Sequence, residues 1–219
     1  MTGQKLSHQP KRWVALGESV LATAIWASSF VVVKIGLQQM GPLTIAGCRY
    51  FLGFLLLLPF LIHKNKSNQP LSKGVWTRLF AIGISAYTIG NGAMFWGLKH
   101  LPATTVSFFM SLLPLIILGG SILWLKEMPT GRQVLGVVVS LVGSGLFFSS
   151  GLQSGDFLGV VIVLIGLIGF TLFGIFGREI ARVRQLDTLT LTAIPLGIGG
   201  GFLLLIALPL EGVPSLSTQ

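Results

Sequence analysis

Apolar runs close to the roughly 20 residues that an α-helix needs to cross the hydrocarbon of a bilayer recur along the whole chain. Seven are read, over residues 14–37, 43–62, 79–98, 103–125, 134–150, 157–176 and 189–210, with short polar connections between them. The runs do not alternate apolar with polar, as strands of a membrane barrel must. In lipid no water satisfies free backbone N–H and C=O groups, so each run has to close its hydrogen bonds within itself. The pattern therefore predicts an all-α integral membrane protein of about seven transmembrane helices.

Composition removes the alternatives. Hydrophobic residues make up 52% and charged residues 10% of the 219 positions. Soluble chains carry about 25% charged residues, so this one lacks the charge to cover a water-facing surface. A soluble enzyme, a secreted disulfide scaffold, a disordered tail and a coiled coil are excluded for the whole. Cys48 is the single cysteine, which rules out an internal disulfide and a multi-cysteine metal site. The formal net charge of +9 suggests a nucleic-acid partner only until its placement is read. Lys5, Lys11, Arg12, Lys64, Lys66, Lys73, Arg78, Lys126, Arg132, Arg178, Arg182 and Arg184 all lie in alternate connections on one side, against Lys34 and Lys99 on the other. That bias is the positive-inside pattern. It predicts a cytoplasmic N-terminus, a multi-pass protein of the cell (inner or plasma) membrane, and contact with the lipid bilayer and not with nucleic acid. Ala22-Thr23-Ala24 has the small-x-small form of a signal-peptide cleavage site. Glu18 interrupts the candidate core and the apolar run continues past Ala24, so a retained first helix is expected.

Two segments look alike. Ile25-Trp26-Ala27-Ser28-Ser29-Phe30-Val31-Val32-Val33-Lys34 leads through Pro42-Leu43-Thr44 into a long apolar helix. Gly169-Phe170-Thr171-Leu172-Phe173-Gly174-Ile175-Phe176-Gly177-Arg178 leads through Asp187-Thr188-Leu189-Thr190 into another. The copies start five helices apart, an odd number, so they cross the membrane in opposite senses, as inverted repeats of secondary transporters do. The stretch Trp26 to Lys34, Pro42 and Arg49, then Leu98 to Ser107, Ser111 to Leu115, Leu125-Lys126-Glu127, Gln133 to Gly136 and Gly143 to Leu146 resembles an EamA repeat of the drug/metabolite transporter superfamily. The resemblance implies a cytoplasmic tail over 1–13, a complete five-helix repeat over 14–150, the first two helices of an inverted second repeat over 151–210, and an outer-side tail over 211–219. Members of that family are similar in having ten spans. The resemblance thus implies that three spans are missing, through a truncated gene or an incomplete record.

Charged groups inside a bilayer are costly, about 2.5 to 3.5 kcal/mol at the centre on insertion scales. Glu18 lies about a turn into the first run, Lys34 near its other end, and Arg49 six residues past Leu43, roughly 9 Å deep at 1.5 Å per residue. Lys34 is explained by snorkelling to the headgroups. Glu18 and Arg49 are candidates for coupling or gating, as is Glu127, for which the family pattern also has a glutamate. Softer groups fall nearer mid-span. Trp26, Tyr87, Asn91, Ser107, Ser111, Pro114 and Thr171 are the candidates for binding substrate. Tyr87 and Asn91, four apart, share a helix face. Ser107, Ser111 and Pro114 stand at i, i+4 and i+7, and Pro114 takes the helical partner from the Met110 carbonyl, which predicts a kink. Such groups in an aromatic wall suit a small organic ligand, although each also serves as ordinary helix packing.

No metalloprotease, serine-hydrolase or phosphate-loop motif occurs, and the six acidic residues and three histidines are scattered. No enzyme activity, cofactor or metal is expected. The resemblance implies a secondary transporter that moves a small-molecule substrate, an amino acid or similar metabolite or a toxic compound, by alternating access and as export. The rival from another class is a non-transporting truncated fragment or a structural partner in the membrane. A five-helix unit plus two helices would need a homo-oligomer or another chain to cover its open face.

Overall fold

The computed structural model describes residues 12–65, 71–126, 128–149, 156–182 and 186–212. Among these the structure is helical and strand-free, and five helices are long and apolar enough to cross a membrane, with shorter apolar helices beside them. The fold is all-α and membrane-embedded, with about seven spans. It divides into two compact units, Met1–Gln39 and Met40–Gln219.

The first unit contains α1, Arg12–Gly36. Its polar side chains bond their own backbone, with Thr23 Oγ1 donating to the Ser19 carbonyl at 2.8 Å and Ser28 Oγ to Ile25 at 2.8 Å. Self-satisfaction of this kind lets hydroxyl groups sit in lipid at low cost.

The second unit holds α2 (Pro42–Asn65), α3 (Lys73–Ile82), a π-helical segment (Gly83–Asn91), α4 (Gly92–His100), α5 (Ala103–Ser111), α6 (Leu113–Leu125), α7 (Gly131–Phe147), α8 (Phe157–Arg182) and α9 (Thr188–Glu211). The third run forms one span from Lys73 to His100, six residues longer at its start than hydropathy predicts. Ser72 begins it, its side chain accepting from the Val75 amide, and the cations Lys73 and Arg78 fall in its first two turns. The fourth run breaks at Leu112 into α5 and α6, with the Leu112 amide turned back to the Phe109 carbonyl at 3.1 Å. Pro114 stands at the start of α6, where a missing N–H costs nothing.

Local sequence sets the other ends. α7 opens on a capping box between Thr130 and Gln133. α9 opens on Asp187, whose carboxylate accepts from the Thr190 amide at 3.2 Å. Lys126, at φ 52, closes α6 in the left-handed region. The core lies where α8 and α9 meet α2, the π-helical segment and α4, with Leu79, Val106, Val163, Leu167 and Leu203 fully buried. One end is sealed by Val75, Leu79, Ile82 and Ile180 with Leu71, Phe176, Leu191 and Ile194 around them. Outward faces carry Leu56, Phe60, Leu123, Leu135, Phe147 and Leu205 exposed, as a lipid solvent requires.

Candidate functional site

The span from Lys73 to His100 gathers Ser85, Tyr87, Thr88 and Asn91 into its nine-residue π-helical segment. π-Helical turns are rare and occur mostly as single-turn features at functional sites. Here side chains reinforce the widened turn. Asn91 Nδ2 donates to the Ala86 carbonyl, five residues back, at 2.8 Å. Ser85 Oγ donates to Ile82 at 3.3 Å.

Two helices, α8 and α9, close on this segment at backbone range, and glycine makes each approach feasible. On α8, a Cβ at Gly169 would stand 2.6 Å from the Gly90 nitrogen and 2.7 Å from the Ser85 carbonyl. On α9, a Cβ at Gly199 would collide with the Gly83 carbonyl and the Tyr87 Cβ. The neighbouring Gly200 faces α2, where a Cβ would lie 2.6 Å from the Phe51 nitrogen. Thr88 Oγ1 donates to the Gly199 carbonyl at 3.2 Å, which ties α9 to the segment.

Into this junction α2 carries Tyr50, 8% exposed. Its hydroxyl donates to Asn91 Oδ1 at 2.6 Å. Its ring meets the Tyr87 ring edge-on, centroids 5.0 Å apart, and the Phe95 ring at 6.4 Å. The Arg49 guanidinium carbon lies 5.6 Å from the Tyr50 ring centroid, within reach of a cation–π attraction. Tyr50 is eight residues into α2, so ~12 Å along it, and Asn91 is nine residues from the end of α4, ~14 Å along it. In a hydrocarbon core about 30 Å thick, both are close to the middle.

The geometry fixes the Asn91 amide, its oxygen toward Tyr50 and its nitrogen toward Ala86. Among the described residues, no buried side-chain nitrogen or oxygen lacks a partner. A polar guest reaching this junction must exchange hydrogen bonds with Tyr50 and Asn91, against walls made by Tyr87 and Phe95. Two hydroxyls, one amide and a nearby guanidinium can recognise a small molecule that combines an apolar body with a few acceptors.

The structure brings together three of the predicted residues, Tyr87, Asn91 and Arg49, and joins them through Tyr50. Thr171 is buried on α8, where its hydroxyl donates to Leu167 at 2.8 Å and its methyl packs on Gly120 of α6. That contact is packing within a helix pair. Ser111 ends α5 and donates to Phe108 at 2.6 Å. Ser107 and Pro114 are exposed. Glu18 is exposed on α1. The side chain of Trp26 and the whole of Glu127 lie outside the described residues. Sequence reasoning passed over Tyr50, Ser85 and Thr88. The chain has only two tyrosines, and one of them directly follows the intramembrane Arg49, a signal that was available.

The profile of the EamA-like transporter family matches residues 12–150. An uncharacterized transporter of Archaeoglobus fulgidus is 28% identical over 194 residues, which cover 86% of this chain and 65% of that protein. The uncharacterized inner membrane transporter YedA of Escherichia coli is 30% identical over 159 residues, 71% of this chain and 50% of that protein. The uncharacterized transporter YvbV of Bacillus subtilis is 24% identical, covering 83% of this chain and 58% of that protein. The chain thus spans between half and two thirds of the length of these relatives. No solved structure matches it. With a family profile over more than half of its length and an apolar helical fold to accompany it, the chain is a multi-pass membrane protein that belongs to the EamA-like transporter family.

Proposed function

We propose that this chain forms the greater part of a secondary transporter for a small organic metabolite, and that Tyr50, Tyr87 and Asn91 make the central contact with substrate. One observation carries this reading: a hydrogen-bonded polar cluster, seated on a π-helical segment near mid-membrane, where three helices meet through glycine. Polar groups at that depth are expensive unless they serve one another or a passing ligand. Arg49 beside Tyr50 favours a substrate with a carboxylate, an amino acid or a related acid being the simplest.

Transport by alternating access is part of the same proposal. The second helices of the two predicted repeats, α2 and α9, lie side by side and antiparallel, with the start of α2 against the end of α9. That arrangement supports an inverted second repeat. With the basic connections on the cytoplasmic side, the N-terminus faces the cytoplasm and the ends at Gly41, His100 and Glu211 face outward. Export is the direction that the family resemblance favours.

Tracer counterflow in vesicles tests the reading. A panel of radiolabelled amino acids and one lipophilic cation is presented to vesicles loaded with the unlabelled compound. Counterflow of at least one amino acid is expected, with Tyr87→Ala and Asn91→Ala both lowering it more than tenfold and Ser111→Ala leaving it near wild type. Wild-type rates in Tyr87→Ala and Asn91→Ala would overturn the site. A well-folded chain that exchanges nothing would favour the structural-partner reading.

A further inference from the structure

Helix α2 begins without its own cap. Its first turn holds no acidic residue, and the position that precedes it is Gly41, which has no side chain to offer the free amides of the first turn. Those amides are instead met from another helix. The Leu43 amide donates to Glu211 Oε1 at 2.9 Å. The Thr44 amide donates to Glu211 Oε2 at 2.8 Å, and the Thr44 hydroxyl donates to the same oxygen at 2.6 Å. The carboxylate fills the space that a capping side chain would use, since a Cβ on Gly41 would collide with it.

Glu211 is badly placed for its own helix. It is the last residue of α9, where the helix dipole disfavours an anion. Gly212 follows at φ 74 and ψ −177, a conformation open almost only to glycine, and turns the chain off the helix axis immediately after it. A carboxylate that is unfavourable at one helix end and answered by three donors at another acts across the pair.

Elsewhere along the seam between α2 and α9, glycine brings the two helices close. Gly47 faces Leu204, Gly53 faces Leu196, Gly197 faces Phe54 and Gly200 faces the backbone at Phe51. These apolar contacts hold the two helices together but are non-directional. Hydrogen bonds are directional and set a register. We infer that Glu211 is a catch: it fixes the axial register of α9 on α2, and its release permits the small shear by which packed helices move in domain closure. Register matters at the site, because α9 carries Gly199 across Tyr87 while α2 carries Tyr50 to Asn91. A slip of one residue, about 1.5 Å, would move both crossings. The role of this shear in transport rests on the transporter reading; the catch itself does not.

The test reads register directly. Spin labels are placed at Leu56 on α2 and Leu205 on α9, both lipid-exposed, in the full chain with Cys48→Ser. The two sites differ in height by roughly 15 Å along the pair, so axial sliding changes the label distance. In the otherwise unaltered chain one distance is expected. In Glu211→Ala a second distance, shifted by at least one residue's rise, should gain about tenfold in population relative to the first, the change that one lost charge-assisted hydrogen bond of ordinary strength produces. Glu211→Ala/Gly41→Asp separates a catch from a mere cap, since the new aspartate can cap α2 locally without holding α9. Persistence of the second distance there supports the catch. Return to a single distance would reduce Glu211 to a helix cap and overturn it, as would a single unchanged distance in Glu211→Ala. Where Glu211→Ala does not fold, Gly41→Asp alone supplies the reading, because it displaces the carboxylate and caps the helix at once. Counterflow on the same proteins keeps the two claims apart: a shifted register without any wild-type counterflow sinks the transporter reading and leaves the catch.

Discussion

Tyr50→Phe removes one oxygen from the centre of the bundle and nothing else. The Tyr50 hydroxyl donates to Asn91 Oδ1 at 2.6 Å, while Asn91 Nδ2 remains on the Ala86 carbonyl. The variant leaves a half-buried amide oxygen without its donor, where a fully buried one costs about 1–3 kcal/mol. Between membrane helices the measured worth of a side-chain hydrogen bond averages about 0.6 and reaches about 1.7 kcal/mol. Because half of the Asn91 amide stays satisfied, we expect a loss of about 1 kcal/mol. Asn91→Leu should cost a similar amount, since it strands the Tyr50 hydroxyl in the same apolar setting. The double variant removes both partners together, and such paired removal is often nearly neutral. A double-mutant cycle should therefore show a coupling of up to about 2 kcal/mol, at most roughly 30-fold in the unfolding equilibrium. Reversible unfolding in mixed detergent micelles, followed by Trp fluorescence, measures it. Strict additivity of the two single variants would refute the hydrogen bond as an energetic tie between α2 and the π-helical segment.

Glycine contacts give a sharp contrast. Gly169→Ala and Gly199→Ala each place a methyl against backbone atoms of the π-helical segment, so each should destabilise by about 1–3 kcal/mol, seen as a lower unfolding midpoint. Gly74→Ala has open space around its new methyl and should gain up to about 1 kcal/mol from helix propensity by the same measurement. Thr130→Ala removes the capping side chain from α7 and should cost about 1 kcal/mol, with unchanged counterflow. Thr171→Ser keeps the hydroxyl bonded to Leu167 but loses the methyl on Gly120; near-wild-type counterflow with a small loss of stability is expected, and a large loss of transport would return Thr171 to the binding site.

Much of the architecture was legible because the bilayer simplifies the problem. A run of about 20 apolar residues in lipid must be a helix, so α2, α8 and α9 follow from hydropathy. The start of the third span did not, because the cations Lys73 and Arg78 hide a helical turn that a polar interface tolerates and Ser72 caps. The π-helical segment was also invisible. It arises from packing of Gly169 and Gly199 on its two sides, which is a tertiary property of residues that lie some 80 to 110 positions away along the chain. The four-residue spacing of Tyr87 and Asn91 survives the widened turn well enough to keep both against Tyr50. Tyr50 is less marked in the sequence, because Arg49 beside it carries the formal charge while the Tyr50 hydroxyl makes the bond to Asn91. Ser111 and Thr171 show the converse limit. Their hydroxyls point to carbonyls of their own helices, a choice that sequence does not reveal.

The central claim is that the Tyr50–Tyr87–Asn91 junction lies on a path open in turn to each side of the membrane. Tyr87→Cys in a Cys48→Ser background carries a single thiol at that junction. Membrane-impermeant maleimide is applied to right-side-out and to inside-out vesicles of this protein. The account predicts modification from both sides, with a saturating transported amino acid slowing each rate severalfold. Modification from neither side, or from one side only and indifferent to every amino acid in the panel, would contradict it.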